Sequence, residues 1–230
     1  MPRQCELFGA FGWGVQCFLA VSCFGSLVYK RFRERPQRPW KIFLMDVSKQ
    51  AITAGLAHIM NVLIALVLSA WETDNDPCVW YFINITIDTT LGVLLCYGLL
   101  QLILHGSTKQ GWTRMQTGRY VSEEGGKLDF GAWGLQLTVW CMIVATVKVS
   151  LAAVIYLSSA VLGLVGSVLL GWLEPYPQAE LVFVMVLVPL VMNCMQFWVQ
   201  DTFLKDKAQQ AKSIALVDIS EMSESELLAS

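Results

Sequence analysis

Apolar and polar positions follow one another along the chain in long blocks, not in short periodic runs. Five apolar blocks cover residues 7–29, 47–70, 79–104, 131–157 and 179–203. Each block reaches the roughly 20 residues that an α-helix needs to cross a hydrocarbon core. Because no water is available there, the backbone must hydrogen-bond within each segment, and a helix satisfies this requirement. The pattern predicts an all-α integral membrane protein, with a bundle of about five transmembrane helices in residues 1–204.

The connections between the apolar blocks carry charges of opposite sign in alternation. Lys and Arg collect in segments 30–46 and 105–130 and after residue 204, whereas 71–78 and 174–178 contain acidic residues without Lys or Arg. Short basic loops stay in the cytosol, so five spans predict a lumenal N-terminus and a cytosolic C-terminus. The final segment, 205–230, is acidic and Ser-rich and predicts a disordered cytosolic tail.

The apolar pattern continues past the fourth block over residues 158–173. This stretch is short for a separate crossing, and its glycines thin the apolar pattern before Glu174-Pro175 closes it. We expect a kinked or interfacial helical extension of the fourth span. The alternative is a sixth span, which would move the lysines of the tail to the lumenal side.

Composition supports the membrane class, and the absence of known motifs argues against an enzyme or a metalloprotein. Of 230 residues, 55% are hydrophobic and 15% charged, with a mean hydropathy of +0.54. The cysteines and histidines lack metal-ligand spacing, and the sequence contains no P-loop, G-x-S-x-G or H-E-x-x-H motif. We expect no enzymatic activity, no metal and no cofactor. Cys5 and Cys78 both fall at the predicted lumenal rim, and a disulfide between them is expected if that side is oxidising.

Two charged residues fall deep within the predicted spans. Asp88 and Lys148 each lie about nine residues, or roughly 14 Å, from the lumenal end of their helices. These helices run antiparallel, so the side chains share one depth and predict an intramembrane ion pair. The pair either fixes helix register or belongs to an ion or proton pathway. Catalysis by His58 with Asp88 is a further alternative, although an intramembrane histidine more often bonds helices together.

The first basic segment is unusually dense. It packs six positive charges into residues 30–41, directly beside the first span. Such clusters bind anionic lipid at about 1 kcal/mol per basic residue, and a tryptophan beside them anchors at headgroup depth. The predicted lipid- or partner-binding residues are Lys30, Arg31, Arg33, Arg35, Arg38, Trp40 and Lys41. The alternative is that this cluster only enforces topology.

Several runs of the chain resemble the signature of the STIMATE family. They include Lys30-Arg31-Phe32-Arg33-Glu34, Asp46-x-Ser48-Lys49-Gln50-Ala51 and Phe197-Trp198-Val199-x-Asp201. The residues that match family motifs are Asp46, Ser48, Lys49, Gln50, His58, Asn61, Asn84, Asp88, Trp198 and Asp201. The resemblance covers about residues 5–205. Vertebrate members carry a longer tail with a basic end, whereas this sequence ends in an acidic stretch.

The resemblance implies a multi-pass protein of the endoplasmic reticulum, and vacuolar or other endomembranes are the alternative location because fungal relatives are vacuolar membrane proteins. It further implies a non-enzymatic adaptor that regulates store-operated calcium entry. The partners implied are anionic membrane lipid and a membrane protein such as the calcium sensor of the reticulum, with no nucleic acid. The alternative function is a small-solute or ion transporter that uses the polar stripes of the spans.

Overall fold

The structure is a computed structural model that describes residues 10–35, 37–69, 77–120 and 129–205. Within these ranges the chain forms α-helices joined by short turns, π-helical segments and 3₁₀ turns, with no strand. The α-helices are α1 Ala10–Arg33, α2 Trp40–Ser69, α3 Pro77–Ile87, α4 Val93–Lys109, α5 Phe130–Leu157, α6 Ser159–Leu170, α7 Pro177–Val182 and α8 Val188–Leu204. The predicted tail lies beyond these ranges, apart from Lys205.

The helices confirm the prediction of an all-α membrane protein. Four helices of the described chain are long and apolar enough to cross a membrane: Gly12–Arg33, Cys78–Lys109, Phe130–Leu157 and Pro177–Leu204. The predicted second span corresponds to α2, which has 30 residues. At a rise of 1.5 Å per residue α2 is about 45 Å long, more than the roughly 30 Å of a hydrocarbon core.

The first two helices extend further into the basic segment than the apolar blocks suggest. Helix α1 continues to Arg33 and α2 begins at Trp40, so the connection between them shrinks to residues 34–39. Basic side chains in the last turn of α1 are favoured there because they face the negative end of the helix dipole. Pro39 precedes α2, where its missing N–H costs nothing, and its carbonyl accepts the Phe43 N–H at 3.1 Å.

Two of the long helices are interrupted by π-helical turns. Asp88–Gly92 joins α3 to α4, and Phe183–Leu187 joins α7 to α8. A π-turn inserts one extra residue into the hydrogen-bond ladder and often marks a functional position. The charged residue that the sequence places deepest in the third span, Asp88, is the first residue of one of these turns.

Residues 158–173 form a separate short helix and a 3₁₀ turn after a break. Backbone hydrogen bonding of α5 ends at Ser158, and α6 follows with 12 residues, roughly 18 Å. Helix α6 packs on α3 through Gly166, where an added Cβ would lie 2.7 Å from Val79 and from Ile83 side-chain atoms. The glycine therefore permits the close approach of these two helices.

The remaining contacts assemble one bundle. Helix α1 packs mainly on α8, and α2 and α4 pack on α5. Trp140 of α5 belongs to the largest apolar cluster of the described chain, together with Cys96 and Leu100 of α4 and Leu204 of α8. A second cluster joins α3 to α6 and to the π-turn Phe183–Leu187, through Val79, Leu170 and Val184.

Candidate functional site

Three segments meet at one end of the bundle around a single arginine. Arg38 lies in the connection between α1 and α2 and forms a bidentate pair with Glu34 at 2.9 and 3.0 Å. Its guanidinium also donates to Asp46 of α2 at 2.8 Å and to Asp201 of α8 at 3.0 and 3.1 Å. The fork of a guanidinium suits several carboxylates at once. We call the cluster of Lys30, Glu34, Arg38, Asp46, Lys49, Tyr120, Asp201 and Lys205 the Arg38 network.

Lysines complete the network from two sides. Lys30 of α1 pairs with Asp201 at 2.9 Å and donates to the Trp198 carbonyl at 2.6 Å. Lys205 contacts Glu34 and lies 3.7 Å from Asp201. The Asp201 carboxylate is fully buried, so it needs these cations, because an unpaired charge in the interior is costly. Helices α1, α2 and α8 are thereby tied together.

The loop after α4 joins the same network. The Tyr120 hydroxyl donates to Asp46 at 2.5 Å, and the Lys49 ammonium lies 3.9 Å from the same carboxylate. Lys49 is completely buried and donates to the Gln136 amide oxygen at 3.3 Å. The Gln136 amide nitrogen in turn donates to the carbonyls of Arg114 and Gln116. The described parts of the three basic segments, which the sequence predicts to share one side, thus meet at one end of the bundle.

The electrostatics keep two members of the network, Arg38 and Tyr120, in the protonation state that their bonds require. Burial disfavours the Arg38 charge, but Asp201 and Asp46 outweigh this effect, and the pKa of Arg38 is raised. Burial, together with the negative charge of Asp46, raises the pKa of the Tyr120 hydroxyl, which therefore stays protonated and can donate. At the start of α5 the backbone N–H of Ala132 and the Arg114 guanidinium lower the pKa of the capping carboxylate, Asp129.

The structure divides the six basic residues among the predicted lipid-binding residues into two groups. Lys30 and Arg38 belong to the Arg38 network, and Arg31 is buried with its guanidinium 3.8 Å from the centroid of the Trp40 ring. Arg31 also donates to the Arg38 carbonyl at 3.0 Å. The other group, Arg33, Arg35 and Lys41, is exposed. Half of the cluster therefore holds the protein together, and half faces outward.

A second polar site lies inside the bundle. The Lys148 ammonium contacts the Asp88 carboxylate and donates to the Asn61 amide oxygen at 2.9 Å. The structure thus places the two deepest charges of the sequence side by side, with a third polar residue from α2. A cavity of about 40 Å³ adjoins the pair. Its polar lining consists of Thr53, Asp88, Lys148, Gln196 and Gln200.

The family-motif residues separate between these sites. Asp46, Lys49 and Asp201 belong to the Arg38 network, whereas Asn61 and Asp88 belong to the inner site. Trp198 donates its indole N–H to the Ser26 carbonyl at 3.2 Å, and Ser48 bonds the Met45 carbonyl at 2.8 Å. Gln50 is buried, Asn84 is half-buried and His58 is exposed. No hydrogen bond or ion pair joins His58 to Asp88 in the described chain.

The cysteines fall into two classes. Cys17, Cys23, Cys96, Cys141 and Cys194 are free, and Cys23 and Cys194 approach within 3.9 Å between their sulfur atoms. Cys78 is disulfide-bonded. Its predicted partner, Cys5, lies outside the described residues, so the pairing stays a prediction.

Sequence reasoning missed several members of the Arg38 network. Glu34 lies within a family run but has no predicted role, Tyr120 and Lys205 belong to no motif, and Arg38 looks like any other residue of a basic cluster. A signal was present in Asp46 and Asp201, which are acids at the basic ends of two apolar blocks. A carboxylate in that position needs a cation nearby, and the basic segment supplies it.

The apolar spans, the buried ion pairs and the π-turns together define a polytopic α-helical membrane protein with a polar core. The profile of the STIMATE family matches residues 78–206, more than half of the chain. The protein belongs to the STIMATE family. It is also similar to a vacuolar membrane protein of Saccharomyces cerevisiae, with 24% identity over 216 residues that cover 87% of this chain and 79% of that protein. No solved structure matches the chain.

Proposed function

We propose that this protein is an endomembrane adaptor whose outward basic residues bind anionic lipid and a membrane-protein partner. The observation that carries the proposal is the exposed trio Arg33, Arg35 and Lys41, which lie at the end of α1, on the connection and at the start of α2, where the Arg38 network holds the backbone in place. The aromatic rings of Phe32 and Trp40 are 58% and 47% exposed beside them. Exposed cations next to exposed aromatic rings fit the headgroup region of a membrane.

A rigid platform suits this role because the binding groups need little ordering when they engage. Three exposed basic residues at about 1 kcal/mol each supply about 3 kcal/mol of attraction to an anionic surface. That corresponds to roughly a hundredfold change in apparent affinity. The family suggests the finer role, in which the partner is a calcium sensor of the endoplasmic reticulum and the outcome is regulated store-operated calcium entry.

The experiment compares two sets of substitutions in one assay. Protein with Arg33, Arg35 and Lys41 replaced by alanine is expected to lose binding to phosphatidylserine-containing vesicles and to fail to restore store-operated calcium entry in cells that lack the protein. Lys109→Ala changes an exposed lysine in the last turn of α4, at the same end of the bundle, and serves as the matched control. Normal calcium entry in the cells without the protein would reject the calcium role, and undiminished vesicle binding by the triple variant would reject the lipid surface.

A transporter is the second candidate, and the inner cavity with its ion pair is the observation in its favour. At about 40 Å³ the cavity has room for a few water molecules and for no larger solute. The observation therefore favours a very small transported species over an organic solute.

A further inference from the structure

The inner cavity is lined by polar groups from four parts of the fold. Thr53 comes from α2, Asp88 from the π-turn, Lys148 from α5, and Gln196 and Gln200 from α8. A water molecule requires about 10–15 Å³ of such space and two or more polar partners. The cavity of about 40 Å³ meets both requirements. Because its lining is polar, we expect the cavity to hold water.

A second observation extends this polar region toward the Arg38 network. Gln50 lies one helical turn before Thr53 on the same face of α2, and its side chain is 1% exposed. Neither polar atom of its amide has a hydrogen-bond partner in the described protein. A buried amide without partners costs about 1–3 kcal/mol, and water is the usual partner when protein supplies none. The face of α2 from Asp46 through Gln50 to Thr53 is therefore a polar column that leads to the cavity.

The carboxylate at the end of this column has open space beside it. Asp88 opens the π-turn, and Gly92 closes the turn on the same side. A Cβ at position 92 would lie 3.4 Å from Asp88 Oδ1 and 3.1 Å from Leu151 Cδ1. The glycine keeps a side chain away from the carboxylate oxygen that does not contact Lys148.

From this geometry we propose that Asp88 is a proton-binding site, reached by water along the polar column from the Arg38 network. A hydronium ion in the cavity transfers its proton to the Asp88 carboxylate, which forms an O–H bond and leaves a water molecule behind. Lys148 keeps its own proton and its bond to Asn61. The pair thereby changes from neutral to singly positive, and release of the proton to water restores it. This site is independent of the proposed lipid surface.

The surrounding groups favour a proton over a metal cation. The titratable groups that line the cavity are Asp88, Lys148 and the Cys96 thiol, while α2 and α8 contribute threonine and glutamine. Lys49 lies at the start of the column and Lys148 at its end, and both ammonium groups repel a metal ion. No group of three His, Cys, Asp or Glu in the described chain could hold a metal. A proton needs only one carboxylate and a hydrogen-bonded path.

The first test reads the carboxyl group directly by infrared difference spectroscopy of the full chain in lipid nanodiscs as the pH is lowered. A protonated-carboxyl band is expected in the wild type, absent from Asp88→Asn and shifted in position in Asp88→Glu. Asp129→Asn, which changes an acid outside the cavity, should leave this band intact. If Asp88→Asn does not fold, the band is assigned to Asp88 by its shift in Asp88→Glu. No band that depends on Asp88, across the pH range in which the protein stays folded, would overturn the proposal.

The second test asks whether water reaches the site. Transfer of the nanodiscs into D2O replaces the S–H proton of a thiol only where water reaches it, and the S–H stretch in the infrared spectrum reads this exchange. The S–H band that Cys96→Ala removes is expected to disappear in D2O, because Cys96 lines the cavity. Thr53→Val and Gln200→Leu should slow this exchange. A Cys96 band that persists in D2O would overturn the hydrated column, and a protonated-carboxyl band at fixed pH that responds to sodium would reassign Asp88 to a metal cation.

Discussion

Replacing Arg38 by alanine removes a side chain that contacts three carboxylates at once. Two of them are almost completely buried, with side-chain exposures of 1% for Asp46 and 0% for Asp201. Removal of one partner from a buried pair typically costs about 3–5 kcal/mol, because the remaining charge is left uncompensated. Asp201 keeps Lys30 at 2.9 Å and Asp46 keeps Tyr120 at 2.5 Å, so we expect the lower end, about 3 kcal/mol.

The assay is unfolding of the purified protein in detergent micelles, titrated with sodium dodecyl sulfate and followed by tryptophan fluorescence. Arg38→Ala should unfold at a lower denaturant fraction than the wild type. Arg38→Lys should fall between the two, because an ammonium cannot reproduce the bidentate contacts of a guanidinium. The matched controls, Arg33→Ala and Arg35→Ala, change exposed residues and should stay within about 0.5 kcal/mol of the wild type.

A double substitution separates the network from unrelated damage. Arg38→Ala leaves the Asp201 carboxylate with one cation fewer, and Asp201→Asn removes that charge. The loss of stability caused by Asp201→Asn should therefore be smaller in the Arg38→Ala background than in the wild-type background. An Arg38→Ala protein as stable as the wild type, or effects of the two substitutions that simply add, would refute the reasoning.

Three further predictions rest on separate contacts. Gly166→Ala should lower the free energy of unfolding by about 1 kcal/mol, because overpacking against α3 costs about 1–3 kcal/mol and the higher helix propensity of alanine offsets up to about 1 kcal/mol. The control, Gly98→Ala, has nothing within 4 Å of its added Cβ and should not destabilise the protein in the same titration. Mild copper-phenanthroline oxidation should form a disulfide between Cys23 and Cys194, whose sulfurs are 3.9 Å apart. In a variant with a protease site inserted at 121–128, the two fragments of the cleaved, oxidised protein should then run together on a denaturing gel until a reductant is added. Fragments that separate without reductant would contradict the packing of α1 on α8. Tyr120→Phe should cost about 1.5 kcal/mol through loss of a hydrogen bond to a charged group, and an unchanged midpoint would exclude that bond.

The class of protein could be predicted from sequence because the relevant physics is local. Whether a segment can leave water depends on its own side chains and length, as the blocks 79–104 and 131–157 show by their agreement with Cys78–Lys109 and Phe130–Leu157. The depth of Asp88 and Lys148 also follows from counting residues along antiparallel helices. Their side-by-side position in the structure is consistent with that count.

Other features depended on which helices become neighbours. The sequence of the basic segment suggests a uniform cluster of exposed charge. In the structure Arg38 and Lys30 turn inward, because α8 brings Asp201 to them from 163 residues beyond Arg38 in sequence. The π-turns at Asp88 and Phe183 have no signal in the apolar pattern, because an inserted residue is accommodated by packing against neighbouring helices. The cavity likewise exists only where α2, α5 and α8 fail to close on one another.

The amino-acid order alone identifies a helical membrane protein of the STIMATE family and the position of each charge along its helix. Hydrophobic length, loop charge and motif order are properties of consecutive residues, so they can be read without a fold. Which of the loop cations are held by carboxylates and which are exposed follows from the way the helices pack. That choice depends on distances between helices, and in the interior a charge is tolerated only where another helix supplies its partner.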